Sequence, residues 1–170
     1  MTSYVALLRG VNLGKRTLRM EDLRRIGSEL GLESPRTFIA SGNLLFASDK
    51  KEIELKAALE EALGRHMGAP VPVMIRTAEE MAKVAAANPF ADQPGNRVVA
   101  IFLDEAPAEA FADHARNVAG ERMAARTREI YVHYPDGQGV SKLQIPAAAT
   151  GTARNMNSVA KLAELTKETG

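Results

Sequence analysis

Three polar, glycine-marked segments hold most of the side chains in this chain that could do chemistry. They are Leu8-Arg9-Gly10-Val11-Asn12-Leu13-Gly14-Lys15, Ser41-Gly42-Asn43 and Gly151-Thr152-Ala153-Arg154-Asn155-Met156-Asn157-Ser158. Core packing accounts for apolar spacing, but not for Arg, Asn and Ser gathered beside flexible turns. Arg9, Lys15 and Arg154 would supply positive charge. Asn12, Ser41, Asn43, Asn155 and Asn157 would supply directional hydrogen bonds. That combination suits a small anionic or phosphate-bearing ligand held in one polar cleft. No general acid or base can be assigned from the residues, so enzyme and binding module both stand.

Each segment also has a plainer reading. Gly10-Val11-Asn12-Leu13-Gly14-Lys15-Arg16 has glycines and a lysine in an order like that of a phosphate-binding loop. That loop needs four residues between its glycines and Ser or Thr directly after Lys. Here three intervene and Arg16 follows, so only a non-standard anion site of Lys15, Arg9 and backbone amides is left. Ser41-Gly42-Asn43 is ordinary hairpin chemistry. Thr152, Asn155, Asn157 and Ser158 suit the capping of a helix N-terminus. A cap needs only one or two of them, and free amides with an arginine also favour a phosphate or carboxylate.

Composition narrows the classes. Of 170 residues, 45% are hydrophobic and 25% charged, the balance of a globular protein. The formal net charge of +1 argues for neither nucleic acid nor membrane. Between Arg9 and Arg25, six basic residues face only Glu21 and Asp22. This is a solvated basic helix face or, as the alternative function, a basic surface for weak nucleic-acid or protein binding without catalysis. RNA stacking platforms need exposed aromatics on central strands, and Tyr4–Leu8 and Leu44–Ala47 lack that pattern. The chain has no cysteine, which excludes disulfides and thiol chemistry. His66, His114 and His133 have no partner at ligand spacing, so no metal and no cofactor are expected. No segment approaches the roughly 20 apolar residues of a membrane span. A cytoplasmic monomer is the expectation.

The elements that must position these groups follow from periodicity. Tyr4–Leu8 is a buried strand, and Glu21–Leu30 a helix with Leu23, Ile26 and Leu30 inward and Gly31 as its stop. Thr37–Ala40 and Leu44–Ala47 form a hairpin. Asp49 with Glu52 reads as a capping box that opens a helix with the stripe Leu55, Leu59, Leu63, Met67. Val71–Ile75 is the next strand. The order is that of a ferredoxin-like βαββαβ unit over residues 1–76. In it the end of strand one and the two–three hairpin share one sheet edge, which makes Arg9 and Asn12 neighbours of Ser41 and Asn43. Residues 77–170 form a second, related α/β half: a helix from Thr77, a strand at Arg97–Leu103, a helix from Pro107 to about Val118, a strand at Ile130–Tyr134 with a partner within 121–128, a loop at Pro146–Thr150 and a final helix at Asn155–Thr166. The fold class is α+β, as two subdomains or one compact unit.

Four stretches are more specific than these patterns: Tyr4-Val5-Ala6-Leu7-Leu8-Arg9-Gly10-Val11-Asn12-Leu13-Gly14, Leu18-Arg19-Met20-Glu21-Asp22-Leu23, Ser41-Gly42-Asn43-Leu44-Leu45-Phe46, and Thr152 through Leu162. On them the chain resembles the bacterial family called domain of unknown function 1697. The resemblance implies an α+β fold with two related halves and no particular activity. Two departures stand out. The loop after Gly10 is one residue shorter than the usual family form, and Met156 stands where the family often carries Trp. If that aromatic stacks a ligand ring, stacking is weakened here; if it packs, Met replaces it well.

Overall fold

The computed structural model describes residues 1–12, 17–39 and 42–169. The chain divides into two compact units, residues 1–81 with 162–170, and residues 82–161.

The first unit is built on a four-stranded antiparallel sheet of order β2-β3-β1-β4. Its strands are β1 (Thr2–Leu8), β2 (Glu33–Thr37), β3 (Asn43–Ser48) and β4 (Val73–Thr77). β1 pairs with β3 and β4 rather than with β2, as the split order requires. Two helices connect the strands, α1 (Met20–Glu29) between β1 and β2, and α2 (Glu52–Met67) between β3 and β4. Leu23 and Ile26 of α1 and Leu55, Leu59 and Leu63 of α2 pack on Tyr4, Ala6, Leu8, Leu44, Phe46, Val73 and Ile75 of the sheet. Gly68 ends α2 in the left-handed conformation, φ 70, its amide returning to the Gly64 carbonyl. Glu60 ties α2 to the sheet by accepting from the Val73 amide and from Lys56, both at 2.9 Å.

The sheet's other face is buried as well. Val5, Leu7, Asn43, Leu45, Met74 and Arg76 are each at most 2% exposed. Alternation in these strands is therefore of size and polarity rather than of burial. Arg36 fastens the far end of the chain to β2, donating to the Leu165 carbonyl (2.9 Å) and the Thr169 hydroxyl (2.7 Å).

The second unit repeats the strand order with β5 (Val98–Phe102), β6 (Arg122–Arg126), β7 (Glu129–His133) and β8 (Thr152–Asn155), arranged β6-β7-β5-β8 and antiparallel throughout. Each half ends in a helix after its fourth strand, α3 (Ala78–Ala86) and α4 (Met156–Glu168). The two connecting helices of the first unit have no helical counterparts. The stretch expected to be a helix from Pro107 to about Val118 forms only a single 3-10 turn at Phe111–His114. Phe111 is its one large buried anchor, and Val118 is exposed, so a helix there would have no apolar stripe to bury. Instead Arg116 and Gln144 exchange backbone hydrogen bonds (2.8 and 3.0 Å) and pair the two connections with each other. Phe111, Leu143 and Ile145 then cover Val99, Ile101, Ile130 and Val132, the role α1 and α2 play in the first unit.

Other boundaries move. β2 lies at Glu33–Thr37 rather than Thr37–Ala40, with an irregular register between Glu33 and Arg36. It is an edge strand, which tolerates Pro35. α2 starts at Glu52, with Lys51 rather than Asp49 at its cap and the Lys51 amide donating to Glu54 at 3.4 Å. The box expected at Thr77 is present: the Thr77 amide donates to Glu80 (2.9 Å) and the Glu80 amide to the Thr77 hydroxyl (3.1 Å). Residues 152–155 are strand, and the last helix begins at Met156.

Two outcomes follow from this packing. Gly42 has φ +89, and a Cβ there would lie 2.6 Å from Val11 Cγ2. Gly42→Ala should therefore cost about 1–3 kcal/mol in urea unfolding, from left-handed strain plus overpacking. The Tyr131 hydroxyl donates to the Val84 carbonyl at 2.7 Å, and burial, then the nearby Glu129, push its pKa upward. The folded state therefore holds this proton more tightly than the unfolded one. Its contribution is full below the ordinary tyrosine value of about 10 and is lost as pH rises past it. Tyr131→Phe should flatten the alkaline fall in melting temperature and cost about 1–2 kcal/mol at neutral pH, by orphaning the Val84 carbonyl.

Candidate functional site

In the first unit the end of β1 and the hairpin do meet. The Leu8 amide donates to the Gly42 carbonyl and the Arg9 amide to the Pro72 carbonyl, both at 2.9 Å. Gly10 and Asn12 take positive φ, 70 and 58, which turns the chain sharply off the strand. Arg9 is exposed at this corner. The two asparagines have structural duties. Asn12 Oδ1 accepts from the Leu18 amide (2.8 Å), closing the loop that leads into α1. Asn43 is fully buried, and its Nδ2 donates to the Phe38 carbonyl (2.9 Å) inside the hairpin. Lys15 and Ser41 lie outside the described residues.

The basic stretch beyond this corner is largely paired. Arg25 reaches Asp22 (3.3 Å) and Glu29 (3.0 Å), Arg19 pairs with Glu21, and Arg24 donates to the Thr37 hydroxyl (2.9 Å).

The residues of the third segment all belong to the second unit. Arg154 stands on β8 rather than in a loop, 6% exposed, and Nη1 donates to the Thr152 hydroxyl and the Ala153 carbonyl at 2.9 Å each. Burial pulls its pKa down to about 10, so the guanidinium is still charged at neutral pH. Asn155 does what a cap does, its Oδ1 accepting from the Ser158 amide at 2.9 Å. Asn157 is exposed and pressed against the turn before β5: a Cβ on Gly95 would lie 2.1 Å from its Oδ1. Arg154 shares its sheet face with Thr152, Glu129, Tyr131 and His133, as the register fixes. Glu129, Thr152 and His133 are buried too, at 4–8% exposed. This polar face is buried rather than open.

His133 is the residue that sequence spacing passes over. It is 8% exposed, and its Nδ1 has no hydrogen-bond partner. Its ring lines a cavity of about 420 Å³ with Gln93, Pro94, Asn96, Arg97 and Pro135. The alternation Glu129-Ile130-Tyr131-Val132-His133 was the available signal, since it sets polar or aromatic residues on one face of β7 and aliphatics on the other. A second cavity of about 310 Å³ lies among Val118, Glu121, Tyr134, Val140, Ser141 and Lys142. Glu121 is committed there. It accepts from the Ser141 hydroxyl and the Ala119 amide, bonds that hold its pKa below the usual carboxylate range. Among the described residues no group of three or more His, Asp or Glu is placed to hold a metal ion. No helix among them is long and apolar enough to cross a membrane.

A family model described as "Protein of unknown function (DUF1697)" matches residues 1–131. The chain belongs to this family. The match takes in Arg9, Asn43 and Arg97 and stops inside β7, short of His133 and Arg154. The fold likeness extends further. The structure of conserved bacterial protein SP0830 from Streptococcus pneumoniae aligns with a TM-score of 0.80 at 23% identity, over 98% of this chain and 99% of that one. No curated protein matches the sequence. At the position where the family often carries Trp, Met156 is 7% exposed at the start of α4, so here the side chain packs.

Asn43 gives this corner its test. Asn43→Ala removes a buried donor and leaves the Phe38 carbonyl without it. The variant should lose about 1–3 kcal/mol in urea unfolding. A loss within error would show that the asparagine is held for something other than the hairpin.

Proposed function

We propose that this member of the family binds a small anionic or phosphate-bearing ligand, with the Arg9 corner of the first unit as a principal anchor. The supporting observation is the pair of backbone hydrogen bonds, Leu8 to Gly42 and Arg9 to Pro72. The first holds two polar segments, more than thirty residues apart in sequence, at one end of a sheet, and the second ties the Arg9 backbone to the residue before β4. The exposed Arg9 directly follows β1, with its backbone tied to Pro72. An exposed guanidinium at an anchored backbone position suits an oxyanion. Lys15 and Ser41 follow from the sequence as further donors to the same ligand. Arg154, Asn155 and Asn157 are retained as donors on the strength of their residue types. Arg154 and Asn155 also make local hydrogen bonds at the end of β8 and the start of α4, so their removal does not give a clean test.

Arg9→Ala does. Inorganic phosphate should raise the melting temperature of the parent protein in a saturable way, since a ligand that binds only the folded state stabilises it. The variant should fold with near-parent stability and lose most of that rise. An unchanged phosphate response in Arg9→Ala would end the assignment of this corner.

A further inference from the structure

The cavity beside His133 lies wholly within the second unit, and its features are independent of Arg9. Arg97 enters it from the turn Gly95–Arg97 that precedes β5. Arg97 Nη1 donates to the Pro135 carbonyl at 2.8 Å, which fixes the plane of the guanidinium. Among the described residues its other N–H groups donate to nothing. The turn itself is held from behind, because Asn157 of α4 occupies the space a Gly95 side chain would need. His133 supplies the opposite chemistry, a ring nine-tenths buried with Nδ1 unpaired. Arg122 faces His133 across the β6–β7 ladder, with its guanidinium 4.9 Å above the Phe90 ring. Phe90 in turn lies 6.1 Å from the imidazole, centroid to centroid. Arg97 lines the cavity with His133, Arg122 lies opposite His133 on β6, and Glu129 shares their sheet face four residues earlier on β7. Two carboxylates adjoin the lining in sequence, Asp92 beside Gln93 and Asp136 beside Pro135, and Asp92 accepts from Gln93 at 3.3 Å.

The cavity sets an arginine with uncommitted N–H donors beside a buried imidazole whose Nδ1 is closed off from solvent. An anion there would accept from the uncommitted Arg97 N–H groups and lie against the His133 ring. At about 420 Å³ the space exceeds what a lone carboxylate fills and is in the range of small-molecule sites.

We propose that this cavity is a second anion site, which takes a small phosphate-bearing molecule between the Arg97 guanidinium and the His133 ring, with the Asn96 amide at the rim. The test is a titration of the parent protein with inorganic phosphate, followed through the imidazole ¹H–¹⁵N signals of its three histidines. The His133 signals are assigned with His133→Phe. A saturable shift should appear at His133 and not at His66 or His114. Arg97→Met should abolish it. Asn96→Asp changes only an exposed side chain and so protects the test against misfolding. It should weaken phosphate by about fivefold or more, because it sets a like charge at the rim. Arg9→Ala should leave the His133 shift intact, which separates this site from the Arg9 corner. Acetate should bind more weakly than phosphate. The proposal is overturned by a non-saturable shift, by an equal response at all three histidines, by acetate binding as tightly as phosphate, by a His133 response whose phosphate affinity is unchanged in Asn96→Asp, or by one that disappears in Arg9→Ala.

Discussion

The inner strands of each sheet are buried on both faces, and the polar groups they carry must therefore find partners without water. The helix-covered face of the first sheet meets that demand by being apolar. The opposite faces do not. They carry Asn43 and Arg76 in the first unit and Glu129, Thr152, His133 and Arg154 in the second, all at most 8% exposed. An unpaired group at such a position costs on the order of 1–3 kcal/mol, more if charged, so the architecture around them is bound to the hydrogen bonds they make. Asn43 closes the hairpin onto the Phe38 carbonyl, and Arg154 turns back on its own strand.

The same constraint sorts the polar residues by what they can still do. Asn12, Asn43 and Asn155 each satisfy a backbone group that would otherwise be stranded. They make the polar segments look like a binding site in sequence because capping and ligation draw on the same side chains. Arg9 is exposed at the bend after β1, and Arg97 lines a cavity from the turn before β5. His133 is the exception to the rule of satisfaction, and for that reason it is the most informative residue of the second unit.

The two units show how one strand order can be covered in two ways. In the first, amphipathic helices with leucine stripes lie across the sheet. In the second, alanine-rich connections with a single phenylalanine anchor cannot bury a helical stripe, and they pair with each other through Arg116 and Gln144 instead. The irregular backbone of these connections lines the cavity among Val118, Val140, Ser141 and Lys142.

The sequence by itself determined the α+β class, the first six elements in order, the meeting of the Arg9 segment with the hairpin, and membership of the family. These depend on local signals: glycine stops, leucine stripes, and a strand order that forces neighbours once it is known. Only the tertiary structure decided that residues 107–118 are not helical, that residues 152–155 are a strand, and that Arg154 is buried. Each of those outcomes depends on what the segment packs against, and helix propensity or a capping pattern says nothing of that. The pairing of His133 with Arg97 was hidden for the same reason. They lie 36 positions apart, neither belongs to a motif, and the turn at Gly95–Arg97 before β5 brings Arg97 to the cavity that His133 lines.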